Sequence, residues 1–375
     1  MALMGLTEFK RRLSARQLTR RQVNEVLASV GVVTLGVPLT TVNARAAGSV
    51  QVFTWASYKV PELRPGFDAT YGQAPGYLLF ADNDEAFEKV RSGYRPSIVQ
   101  PTTYMVGRWR EAGLLKPIAV AQLENYNDIF PQLTSIAALR DGSDVFGVPF
   151  SWGNSSVLYR KDLAPEYVGN ESWTILWDEI HAGRLAQRDS MDAVVLQAAL
   201  ILGIDDPYHM GDEELESVRA KLVEQRELLS YYWISQSDVE QSIASGEIVA
   251  AYAWNHAYAS LKKQGIDVGY MIPREGILTW VDCTCLIADG PGSEDEAYAY
   301  LDAGISAEAG TYMIEEYGYG SANAKAFETA NPELLTELGI ENPTRLMEMG
   351  EFFDDWDPSV RKKATLMFEE IKAGF

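Results

Sequence analysis

The sequence predicts an α/β protein of two lobes, with the chain passing between them more than once. Three observations carry this. The 375 residues are 47% hydrophobic, enough apolar material for more than one core. Short β-rich runs alternate with stretches of helical spacing, the pattern of a largely parallel sheet flanked by helices. Two longer runs break that alternation: "DVFGVPFSWGNSSVLYRKDL" at 144–163 and "IDVGYMIPREGILTWVDCTCLIA" at 266–288. Both are extended, rich in β-formers and interrupted by Gly and Pro, as crossings between lobes would be. The expected lobes are 47–150 with 283–345, and 151–282 with 346–375. A cleft then lies between them, and such clefts are favoured ligand sites.

Residues 1–46 differ in kind. They carry a net charge of +5, against −26 for the remainder. Their basic stretch leads into an apolar run, Val26–Leu39, too short to span a bilayer and typical of a signal segment. "ARA" at 44–46 offers small residues for cleavage. "TRRQV" at 19–23, with Arg20 and Arg21 adjacent, is similar to a twin-arginine export signal. The expectation is a cleaved leader and a periplasmic protein.

After the leader, "SVQVFTW" alternates as a strand does. Val60, Leu63 and Phe67 then repeat at helical spacing. "GYLLF" is a strand, "AFEKVRSG" a helix and "PSIVQPT" a strand, followed by a helix from Tyr104 to Gly113. Beyond the first crossing, Asp212 is placed to cap a helix whose Leu215, Val218 and Leu222 share a face. "DVEQSIASGEIVAAYAW" reads as helix, Gly stop, then strand. "DEAYAYLDAGIS" is a helix, "YGYGSAN" a turn, and "PSVRKKATLMFEEIKAG" a closing helix with a terminal Gly.

The net charge of −21 disfavours nucleic acid, which needs Lys and Arg to neutralise phosphate, and favours cationic partners. There is no phosphate-binding loop, no dinucleotide fingerprint, no HExxH and no nucleophile elbow. Cys283 and Cys285 point to one face of a strand, where a bond between them would be strained. With three His residues distant in sequence, they read as buried thiols rather than zinc ligands. His256 stands as a structural group, a ligand contact or a general base. Trp280 and Asp282, two apart on a strand, leave on the same face. An indole beside a carboxylate suits a positively charged nitrogen, or else ordinary packing.

Seven ordered blocks resemble bacterial spermidine/putrescine-type solute-binding proteins of ABC importers. They are "VFTWASY", "QPTTYMVGRWREAGLLKPI", "VFGVPFSWGNSSVLYRKDL", "SWTILWDEIHAGRLAQRDS", "SGEIVAAYAWNHAY", "IPREGILTWVDCTCLIA" and "EYGYGSAN". The resemblance implies a two-lobe periplasmic-binding-protein fold (type II), closing on a polyamine, with an ABC permease in the inner membrane as partner. It implies an aromatic wall of Trp55, Tyr104, Trp254, Trp280 and Tyr319. Asp282 would take an amine, Thr102 would stand beside Tyr104, and Asp354 would reach the ligand near the C-terminus. It implies a monomer, with no metal, cofactor or enzymatic activity. Where the family has an acid after Trp-small, this chain has Ser57. Where the second lobe offers an Asp and a Glu, it has Ser190 and Ala193, with Asp189 or Asp192 able to compensate. The expected ligand therefore shifts toward a smaller or singly charged amine. A different solute on the same fold, such as ferric ion or an anion, and an exported enzyme are the alternatives.

Overall fold

A computed structural model describes residues 50–338, 340, 343–344 and 351–374. The expected leader lies outside the described residues. The strands are β1 (Gln51–Trp55), β2 (Gly76–Phe80), β3 (Ile98–Val99), β4 (Leu115–Lys116), a small hairpin of β5 (Arg140–Asp141) and β6 (Asp144–Val145), and the long β7 (Val148–Arg160). Then follow β8 (Leu185–Arg188), β9 (Leu229–Trp233), β10 (Ala250–Trp254), β11 (Val268–Tyr270), the long β12 (Leu278–Ile287), β13 (Gly320–Ser321) and β14 (Glu351–Phe352).

The strand order is β2-β1-β3-β12-β7-β10-β8-β9. β1 runs parallel to β2 and β3, and β8 runs parallel to β10 and β9. The two parallel sets are joined through β12 and β7, antiparallel to each other and to their outer neighbours. The two runs that break the alternation in the sequence are thus the strands that connect the two sets.

Each parallel set is buried on both faces, as parallel sheets require. Val52, Ile98 and Leu286 pack to one side of the first set with Phe150 and Tyr300. Phe53, Val99, Cys283, Cys285 and Ile287 pack to the other with Trp109. The strand period of two divides the residues this way. The second set lies in a core of Trp173, Val194, Leu222, Trp233, Tyr252 and Phe368. There the helices Met191–Leu202, Asp212–Leu228 and Pro358–Ala373 bury their apolar residues.

Two local expectations are corrected. The run holding Val60, Leu63 and Phe67 is not one helix. It forms short 3-10 turns at Ala56–Lys59 and Pro61–Leu63 and a short helix at Phe67–Tyr71. Pro61 and Gly66, the latter at φ 75°, divide it. Asp212 is the first residue of its helix rather than the cap. The cap is Gly211, whose N–H donates to Glu214 Oε2 at 2.8 Å.

Candidate ligand-binding site

Six parallel strands end at one place. Residues at and just after their carboxyl ends line a cavity of about 460 Å³: Trp55–Tyr58 from β1, Phe80–Asn83 from β2, Thr102 and Tyr104 after β3, Arg188, Ser190 and Asp192 from β8, Ile234–Ser237 after β9, and Trp254 and His256 from β10. Ligands of open α/β sheets bind outside the carboxyl ends of strands. The crossing strands supply Ser155 from β7 and Trp280 and Asp282 from β12. Tyr317, Tyr319 and Phe353 complete the wall.

Asp282 lies at a register shift where β12 leaves its regular pairing with β7. Its carboxylate is 5% exposed. Tyr58 Oη donates to its Oδ2 at 2.7 Å and Thr102 Oγ1 to its Oδ1 at 2.8 Å. Burial pushes its pKa up to about 6, against the pull of these two hydroxyls and of the Arg188 charge. Tyr58 is itself held by a hydrogen bond with Ser151 Oγ, 3.1 Å away. Burial and the adjacent carboxylate raise its phenol well above the usual range.

Trp280 shares its face of β12 with Asp282. Its ring meets Tyr319 edge-on at 4.8 Å between centroids. Gly153 lies opposite Trp280 on β7. A Cβ there would stand 2.4 Å from an indole carbon, so the close approach of backbone to indole requires glycine. Trp55 packs on Phe80 at 4.5 Å, and Trp254 packs edge-on against Trp233 at 5.4 Å. The indole N–H groups of Trp55 and Trp280 have no acceptor.

A second polar chain starts at Thr102. Asn83 Nδ2 donates to Thr102 Oγ1 and to Tyr104 Oη, both at 3.1 Å. Tyr104 Oη donates to Asp192 Oδ2 at 2.9 Å. Asp192 also faces Arg361 at 3.5 Å, and Arg361 pairs with Asp84 at 2.6 Å. Burial raises the Asp192 pKa, the Arg361 charge opposing it. Desolvation works against the charge on Arg361, but Asp192 and Asp84 outweigh it and raise its pKa. Across the cavity, His256 Nδ1 lies 3.1 Å from Gln236 Nε2 and 3.4 Å from Glu240 Oε1.

Nine of the ten residues singled out in the sequence line this cavity: Trp55, Ser57, Thr102, Tyr104, Ser190, Trp254, Trp280, Asp282 and Tyr319. Asp354 does not; it is exposed, and its neighbour Phe353 lines the wall, its ring stacked against Tyr104 at 5.8 Å. Of the two acids able to compensate, Asp192 faces the cavity, whereas Asp189 pairs with Lys372 at 2.6 Å. Sequence reasoning missed Tyr58, Asn83, Arg188, Glu240 and Tyr252. Position just after a strand's carboxyl end would have flagged Tyr58, Asn83 and Arg188. One further group of ligand-type side chains, Glu166, Asp178 and His181, has its atoms within 4.8 Å of one another. None of them lines the cavity, and His181 Nε2 is held by Glu166 at 3.0 Å.

Two parallel sets joined by crossing strands, with an aromatic and acidic cavity at their carboxyl ends, define a type II solute-binding protein. The model of the bacterial extracellular solute-binding protein family matches residues 81–338, and the chain belongs to that family. It is 22% identical over 344 residues to the putrescine-binding periplasmic protein PotF of Escherichia coli K12, covering 87% of this chain and 92% of that one. It is 25% identical over 331 residues to a putrescine/agmatine-binding protein of Pseudomonas aeruginosa, covering 81% and 87%. Among solved structures it resembles the spermidine/putrescine ABC transporter substrate-binding protein PotD of Streptococcus pneumoniae. There the TM-score is 0.72 at 19% identity, covering 87% of this chain and 99% of that one.

Proposed function

We propose that this chain is the extracytoplasmic receptor of an ABC importer and captures a small cationic amine by closure of two lobes over the cavity. The observation that carries this is Asp282. It is a buried carboxylate held by two neutral hydroxyls, with Trp280 and Tyr319 beside it. Such a group is costly to keep ionised without a cation, and an entering ammonium removes that cost while gaining the aromatic faces. The names of the relatives, which bind putrescine, spermidine or agmatine, support the ligand class. Asp192 already has Arg361 as partner and Ser57 replaces an acid. The preferred amine therefore has one cationic centre rather than two or three.

The lobes of this reading are 47–150 with 283–345, and 151–282 with 346–375. Three contacts join the 81–104 region to the opposite side: Tyr104 to Asp192, Asp84 to Arg361, and the Ala81 carbonyl to Arg188. Ligand bound between these segments adds to the same set and shifts the population toward the closed form. The closed form is what the permease reads. Residues 1–46 are then the twin-arginine leader and the receptor works in the periplasm as a monomer, without metal, cofactor or chemical turnover.

Titration calorimetry of the purified protein with putrescine, spermidine and singly charged amines tests the reading. A singly charged amine binds most tightly, and Asp282→Asn weakens it at least tenfold. Tight spermidine binding refutes the preference for one cationic centre. Unchanged binding of every amine by the Asn variant refutes the amine site itself.

A further inference from the structure

Arg188 places a resident positive charge in the cavity proposed above as an amine site. Its guanidinium lies 4.7 Å from the ring centroid of Trp254 and donates to the Ala81 carbonyl at 3.4 Å. Among the described residues no carboxylate is within ion-pair distance of it. The neighbouring cations are already matched: Arg361 by Asp84 and Asp192, and Lys372 by Asp189. The other lining acids are engaged too. Asp192 takes Tyr104 and Arg361. Glu240 accepts from Gln236 at 3.1 Å and Ser260 at 3.0 Å. Asp82 caps the helix Asn83–Arg91. Among the described lining residues, Asp282 is the buried carboxylate without a cation and Arg188 the cation without a carboxylate; Asp82 and Glu240, which also face no Lys or Arg, are partly exposed.

Asp282 and Arg188 do not reach each other. Their strands, β12 and β8, are separated in the sheet by β7 and β10, roughly 14 Å at ordinary strand spacing. The intervening strands carry two hydroxyls into the cavity. Tyr252 on β10 and Ser155 on β7 are 0% and 1% exposed and line the cavity; the two hydroxyls and Arg188 neighbour one another, but neither hydroxyl makes a hydrogen bond of regular geometry. Burial raises the Tyr252 pKa and the nearby Arg188 charge lowers it. The helices Met191–Leu202 and Gln236–Ser245 begin beside Arg188, without a side-chain cap on their first N–H groups. This end of the cavity is rich in donors, and helix N-termini add a partial positive charge. A second ammonium placed here meets a guanidinium and leaves both hydroxyls without a negative partner. A carboxylate satisfies all three groups.

We infer that the ligand is zwitterionic, an ω-amino acid whose ammonium sits at Asp282 and whose carboxylate is taken by Arg188, Tyr252 and Ser155. This rests on the amine-site reading and narrows it: the single cationic centre is paired with an anionic end.

The test uses three probes that share a four-carbon chain: 4-aminobutanoate, butylamine and putrescine. Calorimetry is run on the unaltered protein, Arg188→Met, Arg188→Lys and Asp282→Asn, each checked for folding by circular dichroism. The expected order for the unaltered protein is 4-aminobutanoate, then butylamine, then putrescine. Arg188→Met weakens 4-aminobutanoate at least tenfold more than butylamine, which loses only the closing contact to the Ala81 carbonyl, and putrescine gains relative to butylamine. Arg188→Lys recovers part of the loss, which separates charge from packing. The inference alone is overturned if amines bind in an Asp282-dependent way but putrescine exceeds 4-aminobutanoate, or if Arg188→Met leaves 4-aminobutanoate unchanged. If no probe binds, or Asp282→Asn alters none of them, the amine-site reading fails and the inference fails with it.

Discussion

Replacing Asp282 by Asn should move stability and ligand affinity in opposite directions. The carboxylate is buried and its pKa is raised from 3.8 to about 6. A shift of about two units is worth roughly 3 kcal/mol against the ionised form. The sign follows from linkage. The folded state holds the proton more tightly than the unfolded chain does. Its contribution to stability is therefore fully present below pH 3.8 and is lost as pH rises through about 6. Above that, the ligand-free protein carries the whole cost. Asn keeps the acceptor for Tyr58 but presents an amide N–H₂ toward Thr102, which already accepts from Asn83. Loss of that second hydroxyl contact offsets part of the gain, leaving a net stabilisation of about 1–3 kcal/mol at pH 7.5. The variant should bind amines about 10- to 100-fold more weakly, the worth of one charge-assisted hydrogen bond. Urea unfolding at pH 4.5, 6 and 7.5 reads the first effect and calorimetry the second. The stability gap between Asn and Asp should widen with pH. A variant less stable than the unaltered protein at pH 7.5, or a gap that narrows with rising pH, would refute the claim that desolvation dominates at this site.

Three other substitutions bear on the same geometry. Tyr58→Phe removes the donor to Asp282 Oδ2 and lets the carboxyl pKa rise further. The acid limit of amine binding should move to higher pH, with about tenfold weaker affinity near pH 7 in a pH series of titrations. Gly153→Ala drives a methyl into the Trp280 ring and should cost about 1–3 kcal/mol in urea unfolding, with weaker binding because the indole is displaced. Arg361→Met leaves Asp192 buried without a cation, while Asp84 keeps Arg108. Breaking a fully buried pair costs about 3–5 kcal/mol; with Asp84 partly exposed, about 2–3 kcal/mol is expected. The loss should be smaller at pH 5 than at pH 8, because Asp192, whose pKa is raised by burial, takes up a proton instead.

The fold was legible because its signals are local. Strand and helix alternate in the sequence as they do in the structure, and the two β-rich runs that break the alternation are the long strands β7 and β12. The misread stretch, Val60–Phe67, carries a genuine helical spacing of apolar residues. There Pro61 and Gly66 decide the backbone, and breaker chemistry prevails over periodicity in a run so short. The cap of the helix Asp212–Leu228 was misplaced by one residue for a similar reason. Gly211, lacking any side chain, serves as cap because Glu214 supplies the reciprocal bond, and that bond has no trace in the identity of the cap residue.

The site was legible only in part, and the division has a physical cause. Trp280 and Asp282 are two apart on one strand, so their common face follows from the strand period. Tyr58 reaches Asp282 across 224 residues, and Arg188 reaches Trp254 only because β8 pairs with β10. Such encounters are fixed by sheet order, which no spacing in the sequence encodes. Sheet order also bears on what the cavity selects. Had β8 lain next to β12, Arg188 and Asp282 could have paired and satisfied each other without a ligand. With β7 and β10 between them, the two charges stay apart in a low-dielectric space where each lacks its complement. Specificity here is thus a property of the order of strands as much as of the side chains they carry. Reversing the two charges, Asp282→Arg with Arg188→Asp, should preserve the preference for a zwitterion over a diamine while inverting the ligand's direction. A loss of all binding in a folded double variant would show instead that the aromatic walls, and not the paired charges, set the ligand's orientation.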